Sequence, residues 1–518
     1  MLFRPMATRL TYTTGSRSPE LDRAFETALA DAREREPEPL SHLVGGRDIA
    51  AGKPFAREDP SRRERVASRA YEGSELVAQA VEAARGAQRE WRRLPHPERV
   101  AVLRATERLI DERKLELAAM VSLEVGKVRT EAIAEVEEAI DLIETYCRQV
   151  ETAEGFETPL GQLSPDERNV DVLRPYGVFG VIAPFNFPFA LAFGMTAAAL
   201  AAGNAVVLKP PEEAPASGGA VARLLAEAGV PDGVISLVHG GPSTGEALVG
   251  SGVDGVAFTG SAEVGREIGR RMSEGAFPRP VLAEMGGKNA AVVGASADLD
   301  AAAEGIAKAS FGFSGQKCSA CSRAIVVDEV HDELVERLAV LARTTSVGDP
   351  ADPDVATGPV VNGNAVERFE RSVETARRDG AVAAGGSRGD EAGWFVEPTV
   401  VPGLPLGHAL TRDELFLPVL TVVRVPDFDA ALAEANAVPY GLTAGVFSRD
   451  EGELDRFLDE IEAGVVYVNR RAGATTGAWP GIQSFCGWKS SGLTGKGGLG
   501  PYYVQQFARE QSRTIVEQ

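Results

Sequence analysis

From residue 170 onward the chain alternates short apolar runs with stretches in which apolar residues recur every three or four positions. VDVLRP (170–175) and VFGVIAP (178–184) are followed by a helical stretch and NAVVLKP (204–210). A second helical stretch leads to ISLVHG (235–240), a third to GVAFTGS (255–261), and another helix opens at Ala262. Short, wholly apolar strands that alternate with helices predict a parallel, doubly wound sheet. A second such series begins at AAVVGA (290–295) and continues through AIVVDE, WFVEPTVV, PVLTVVRV, TAGVFS and GVVYVN. Two α/β units in succession are expected, meeting near Gly286-Gly287, without internal repeats or a low-complexity linker.

Two segments need separate treatment. Residues 122–150 carry Ile133, Val136, Ile140, Ile143, Cys147 and Val150 at alternating spacings of three and four. That spacing predicts one amphipathic helix with Cys147 on its buried face as a small hydrophobe. Pro175–Leu208 contains no charged residue, and its length would allow a membrane span. Pro184, Asn186, Pro188 and Gly203-Asn204 interrupt it, so it reads as strand, helix and strand in a buried layer.

A chain of 518 residues is long for one core. Its formal net charge of −21 repels nucleic acid and anionic membranes, so neither is an expected partner. The four cysteines, at 147, 318, 321 and 486, are too few for a disulfide framework and point to a reducing cytoplasm. Lysine is scarce: of nine, four (Lys209, Lys288, Lys317 and Lys489) fall in the motifs below. Arg4, Arg9 and Arg17, with no acid among residues 1–19, faintly suggest a transit peptide. The acidic helical stretch that follows favours an ordered N-terminal arm.

FGFSGQKCSACSR (311–323) poses the main chemical question. A CxxC serves as a redox pair, as half of a zinc site, or as one working thiol beside a bystander. Zinc needs four ligands, and no second CxxC or paired His spacing exists, so no metal is expected. Spacing alone leaves the redox pair open. A lone catalytic thiol would need a base, for which His239 and Glu284 are candidates. Glu284, in LAEMGGKN, follows an apolar run, and apolar surroundings raise a carboxyl's proton affinity towards that of a useful base. Asn186, Lys209 and Thr259-Gly260-Ser261 fall at strand ends, where open α/β sheets bind ligands. The fingerprint GxGxxG is absent from the last of these, although its helix N-terminus suits a phosphate.

PFNFP, LKPPEEAP, FTGS, EMGGKN, GQKCS and ELFLPVL occur in this order. Over roughly residues 40–510 the chain resembles the aldehyde dehydrogenase superfamily. The resemblance implies two doubly wound open-sheet α/β domains, a Rossmann-like cofactor domain (1–151 and 173–286) and a catalytic domain (287–484). A small β oligomerisation arm (152–172 and 485–518) completes them, with a hairpin before VDVLRP and a C-terminal YYVQQF strand, so a homodimer or dimer-based oligomer is expected. It also implies Cys318 as nucleophile, with Cys321 a packed bystander, Asn186 as oxyanion donor and Glu284 as the base that activates water. For the cofactor it implies Lys209 and Glu212 on the adenosine ribose, Gly260-Ser261 at the pyrophosphate and Glu414 at the nicotinamide ribose. An acid at 212 favours NAD over NADP. Where the family has Gly before the Pro of the last motif, this chain has Leu417.

GQKCSACSR and residues 124–147 look most like the 1-pyrroline-5-carboxylate dehydrogenases, whose substrate is L-glutamate γ-semialdehyde. That implies Glu131 facing the substrate ammonium, Lys317 and Ser319 together with the Gly477-Ala478 loop facing its carboxylate, and Phe187 and Phe485 sandwiching its chain. Ser484-Phe485-Cys486-Gly487 and the bulky Trp479 depart from the family pattern beside this anchor. The alternatives are another carboxylated semialdehyde, succinic semialdehyde above all, and more remotely a cofactor-free thiol hydrolase or a non-catalytic structural role.

Overall fold

A computed structural model of the chain describes residues 9–14 and 18–516; Arg4 and Arg17 of the basic N-terminal stretch lie outside the described residues. Seven strands form the first sheet, in the order Val281–Met285, Gly255–Gly260, Val178–Ile182, Ala205–Lys209, Ile235–Leu237, His42–Val44 and Arg47–Ile49. The first five run parallel, and an N-terminal hairpin extends the edge antiparallel. The central strands Val178–Ile182 and Ala205–Lys209 are buried throughout, as continuous apolar runs require when both faces of a sheet are covered. The uncharged stretch that could have passed for a membrane span supplies these two strands and the helix Ala190–Ala201 between them. Among the described residues no helix is long and apolar enough to cross a membrane.

Chain order reverses between Val178–Ile182 and Gly255–Gly260, which are hydrogen-bonded neighbours. The crevice for a ligand opens beyond their carboxyl ends, where Asn186 and Ser261 follow. The second sheet has six parallel strands, in the order Thr399–Pro402, Val419–Val425, Cys321–Val327, Asn289–Val293, Thr443–Phe447 and Val465–Val468. Only Gly286, Gly287 and Lys288 separate the last residue of Val281–Met285 from the first of Asn289–Val293. A separate three-stranded sheet joins Glu157–Pro159, Glu167–Pro175 and Ala508–Val516, antiparallel throughout.

Three local expectations need correction. YYVQQF is a turn followed by the 3-10 helix Val504–Phe507, and the strand starts at Ala508. Two of its three aromatic rings pack inward, Tyr503 on Tyr146 at 5.4 Å and Phe507 on Phe179 at 4.9 Å between centroids, while Tyr502 is exposed. Residues 485–500, grouped with the arm in the sequence, bring Phe485, Gly498 and Leu499 to the wall of the central pocket. The single helix expected over 122–150 is two, Lys114–Val125 and Arg129–Thr152, because Gly126 caps the first in the left-handed region at φ 74°. The polar face of the second helix is buried as well: Glu135, Glu137, Glu138 and Asp141 are all buried.

Lys127, in the break between those helices, and Glu135 form an ion pair of 2.6 Å with both side chains fully buried. The other oxygen of Glu135 accepts from the backbone N–H groups of Phe189 and Ala190 at 2.9 and 3.2 Å. One carboxylate therefore neutralises a buried ammonium and caps the helix Ala190–Ala201. Removing one partner of a buried pair leaves the other charge uncompensated. Glu135→Ala is expected to cost about 3–5 kcal/mol, read as a lowered melting temperature. A variant that melts with the wild type would contradict this account.

Candidate active site

Cys318 lies in the loop between the 3-10 turn Gly312–Gly315 and the strand Cys321–Val327. Its carbonyl accepts from the Asn289 amide at 2.7 Å, and the same Nδ2 donates to Ala320 O at 2.9 Å. Asn289 Oδ1 accepts from the Thr443 N–H at 3.0 Å, so one buried amide pins the cysteine loop to the neighbouring strand. The thiol stands in a pocket of about 710 Å³ whose wall includes Glu284, Phe187, Lys317, Ser319, Gly477, Ala478 and Phe485. Most of the substrate-side residues expected from the sequence thus converge on one cavity with Cys318 and Glu284.

Glu284 is the penultimate residue of its strand and accepts from the Gly498 N–H at 2.6 Å. Burial, only partly offset by that bond, pushes its carboxyl up to about 7. Burial first, then the nearby carboxylates Glu284 and Glu414, drives the Cys318 thiol well above its ordinary value. The buried Asn186 donates one amide hydrogen to Gln316 O at 3.1 Å, and Nδ2 has a second to give. Cys321 is inaccessible on its strand, with its thiol pushed up to about 12 by burial. All four cysteines are free. His239 does not line this pocket; it is buried against His42 and lowered to about 3 by that burial.

At the cofactor end the arrangement is looser. Lys209 is buried at its strand end, where desolvation lowers its affinity for protons against the pull of Glu213, Glu212 and Glu72. Glu212 is exposed, and the two form no ion pair. An enclosed ammonium with acids near but not touching fits a hydroxyl-rich ligand such as a ribose. Ser261 caps the helix Ala262–Met272, its Oγ accepting from the Val264 N–H at 3.3 Å, and so marks the anion-binding end of that helix. Glu414 accepts from the Gly287 N–H at 2.9 Å and is pushed up to about 7, mainly by burial. At the neighbouring turn Phe416 takes the left-handed conformation at φ 57°, and Leu417 is buried. Among the described residues no group of His, Cys, Asp or Glu is arranged to hold a metal.

The profile of the aldehyde dehydrogenase family matches residues 49–512. The chain belongs to the aldehyde dehydrogenase family. It is 36% identical to a 1-pyrroline-5-carboxylate dehydrogenase of Geobacillus sp. (strain WCH70) over 503 residues, 96% of either chain. To the 1-pyrroline-5-carboxylate dehydrogenase 2 of Bacillus subtilis (strain 168) it is 36% identical over 502 residues, 95% of this chain and 96% of that one. The crystal structure of a Thermus 1-pyrroline-5-carboxylate dehydrogenase with bound NAD superposes with a TM-score of 0.93 at 34% identity, covering 98% of this chain and 99% of that one. A betaine aldehyde dehydrogenase from Staphylococcus aureus in complex with NAD+ gives a TM-score of 0.87 at 26% identity over 95% and 97%. The architecture is that of an aldehyde dehydrogenase throughout.

Not every residue follows its expected place. Glu131 does not line the pocket of this aldehyde dehydrogenase; one of its oxygens receives Lys317 Nζ at 2.6 Å. Conversely, Tyr12 and Glu138 do line it, and neither was singled out in the sequence. Tyr12 is remote from every motif, but Glu138, an acid on a helix beside Glu135 and Asp141, could have been found by asking why that face is so acidic. Of the four cysteines, Cys318 is half-buried and the other three are buried. Native alkylation with iodoacetamide, mapped by peptide mass spectrometry, should modify Cys318 first and accelerate as pH rises, because the reactive thiolate is scarce at neutrality. Preferential labelling of Cys321 would contradict the geometry.

Proposed function

We propose that this enzyme oxidises L-glutamate γ-semialdehyde, the open form of 1-pyrroline-5-carboxylate, to L-glutamate with NAD as oxidant. The observation that carries the reading is the single cavity joining Cys318 and Glu284 to an aromatic pair, Phe187 and Phe485, and to the Gly477-Ala478 loop. Relatives bearing that activity in their names, similar over nearly the whole chain, support it.

Cys318 attacks the aldehyde carbon and forms a thiohemiacetal. The oxyanion is held by the free amide hydrogen of Asn186 and the backbone N–H of Cys318, donors already fixed by the fold. When bound, NAD supplies the hydride acceptor, and the substrate remains on Cys318 as a thioester. Glu284 takes a proton from water, which attacks the thioester carbonyl and releases the carboxylate product and the thiol. Lys209 and Glu212 would hold the adenosine ribose, Gly260 and Ser261 the pyrophosphate, and Glu414 the nicotinamide ribose. The negative charge of Glu212 disfavours a 2′-phosphate. Phe187 and Phe485 suit the aliphatic chain, and Lys317, Ser319 and the backbone at Gly477-Ala478 suit a carboxylate.

A panel of aldehydes with NAD and NADP, followed by nicotinamide absorbance, should rank glutamate γ-semialdehyde with NAD first. Cys318→Ala should abolish oxidation while NAD still binds, and Cys321→Ala should retain most activity. A dead Cys321 variant would restore the redox-pair reading, and a preference for succinic semialdehyde would remove the substrate assignment while leaving the dehydrogenase.

The base works only when ionised. With its carboxyl at about 7, Glu284 is protonated and idle below that pH, so turnover should rise as pH passes upward through about 7. Glu284→Gln should lower turnover by roughly 10²–10⁴ and flatten that rise. A rise that persists in the variant would assign it to another group.

A further inference from the structure

His239, which has no part in the pocket of Cys318, reaches a different cavity. That cavity, of about 920 Å³, lies among the helices Lys114–Val125 and Pro215–Glu227, the strand Ile235–Leu237 and the segment Leu40-Ser41. None of its lining residues lines the pocket of Cys318. Leu40, Leu117, Met120, Leu224 and Leu237 give it apolar walls.

Side chains alternate along an extended chain, so His239 follows Leu237 to the same face two residues later. Only 1% of its surface is exposed. The Ser41 backbone is near enough to raise its proton affinity, but no hydrogen bond of normal geometry reaches either ring nitrogen. The neighbouring His42 is the contrast. Its Nδ1 accepts from the His239 N–H at 3.1 Å and its Nε2 faces Ala51 O at 3.1 Å, so both nitrogens are used. Room for the His239 ring comes from Gly219, inside the helix Pro215–Glu227, where a Cβ would lie 2.9 Å from the ring. Glycine weakens a helix interior, so the helix gives up stability at the point where it admits this ring.

The chemistry of the cavity limits what fits it. Burial above all lowers the His239 ring to about 3, so at neutral pH it is uncharged and carries one N–H donor and one lone pair. A buried donor and acceptor without partners carry a desolvation cost that a hydrogen-bonding ligand removes. One water fills about 30 Å³, a small part of the volume, and apolar walls give further waters few partners. A hydroxyl both donates and accepts, so it matches whichever ring nitrogen faces the cavity. The charged groups of the lining are already matched within the protein. Arg113 donates to Glu227 at 2.8 Å, Arg223 pairs with Asp48, and Glu116 lies 3.7 Å from Arg35. An ionic ligand would have to displace one of these partners, and an uncharged ligand would not.

We propose that this cavity is a second binding site, which takes an uncharged, mainly apolar small molecule through a hydrogen bond between its hydroxyl and His239. The site is independent of which aldehyde Cys318 accepts.

Phenol, toluene and benzoate share one ring and separate these features, with dissociation constants measured by equilibrium dialysis on the full chain. The wild type should bind phenol more tightly than benzoate. His239→Phe keeps a ring and removes both nitrogens; it should weaken phenol about two- to tenfold and leave toluene no weaker. Ala220 lines the cavity, and Ala220→Phe fills it. That variant should lose phenol and toluene while kcat/KM for the aldehyde is unchanged, whereas ligand held in the pocket of Cys318 would remain. It also decides the matter should the His239 variant fail to fold. Phenol affinity unchanged in either variant, benzoate bound more tightly than phenol, or no measurable binding of phenol to the wild type overturns the assignment.

Discussion

The active site depends on a close approach of backbones at Gly286-Gly287. A Cβ on Gly286 would lie 2.0 Å from the Glu414 carboxylate, and one on Gly287 would lie 2.6 Å from the Cys318 carbonyl. Because neither side chain exists, the carboxyl end of a first-sheet strand passes directly into the amino end of a second-sheet strand. Glu284 is left two residues before the crossing and Asn289 two residues after it. The first faces the pocket and the second pins the loop that presents Cys318. Glu284, Cys318 and Glu414 are thus referred to the same few backbone atoms, which is how a candidate site spread over more than a hundred residues of sequence is held to fixed geometry.

The central strands were legible because they are buried on both faces and so are almost wholly apolar, a pattern few other elements produce. Every apolar run named in the two series lies on a strand of the two large sheets or, for VDVLRP, on the arm. What was not legible depends on tertiary contact. The break at Gly126 is invisible to a three-four periodicity that continues across it. YYVQQF was expected as a strand, but its Tyr503 and Phe507 rings are drawn into a core built by Tyr146 and Phe179. The candidate catalytic residues were named through their ordered motifs, and at Leu417, a departure from one of them, the chain carries Phe416 in the left-handed region beside a buried Leu417.

The polar face of Arg129–Thr152 shows a further limit of sequence patterning. Periodicity marks one apolar face and leaves the opposite face to be taken as solvated. Here that face is buried too, and each acid on it must find a cation, a donor or a ligand. Glu135 finds Lys127, Glu131 finds Lys317 and Asp141 finds Arg9. A helix whose polar side is buried is a wall of a site, and its pairing pattern says more about ligand charge than the number of its acids does.

The same accounting applies to the reacting pair. Cys318 and Glu284 occupy apolar surroundings, and the negative charge of the carboxylate adds to what burial does to the thiol. Two like charges in a poorly solvated pocket are costly, so the state with both ionised is the least favoured. One negative charge shared between them is tolerable. A proton leaving the thiol for Glu284 would move that charge to the nucleophile without adding a second. In the proposed reaction the esterified sulfur carries no charge, so Glu284 alone ionises for the attack of water. The apolar pocket thereby orders the two halves of the chemistry: the base is most easily charged when the cysteine is not.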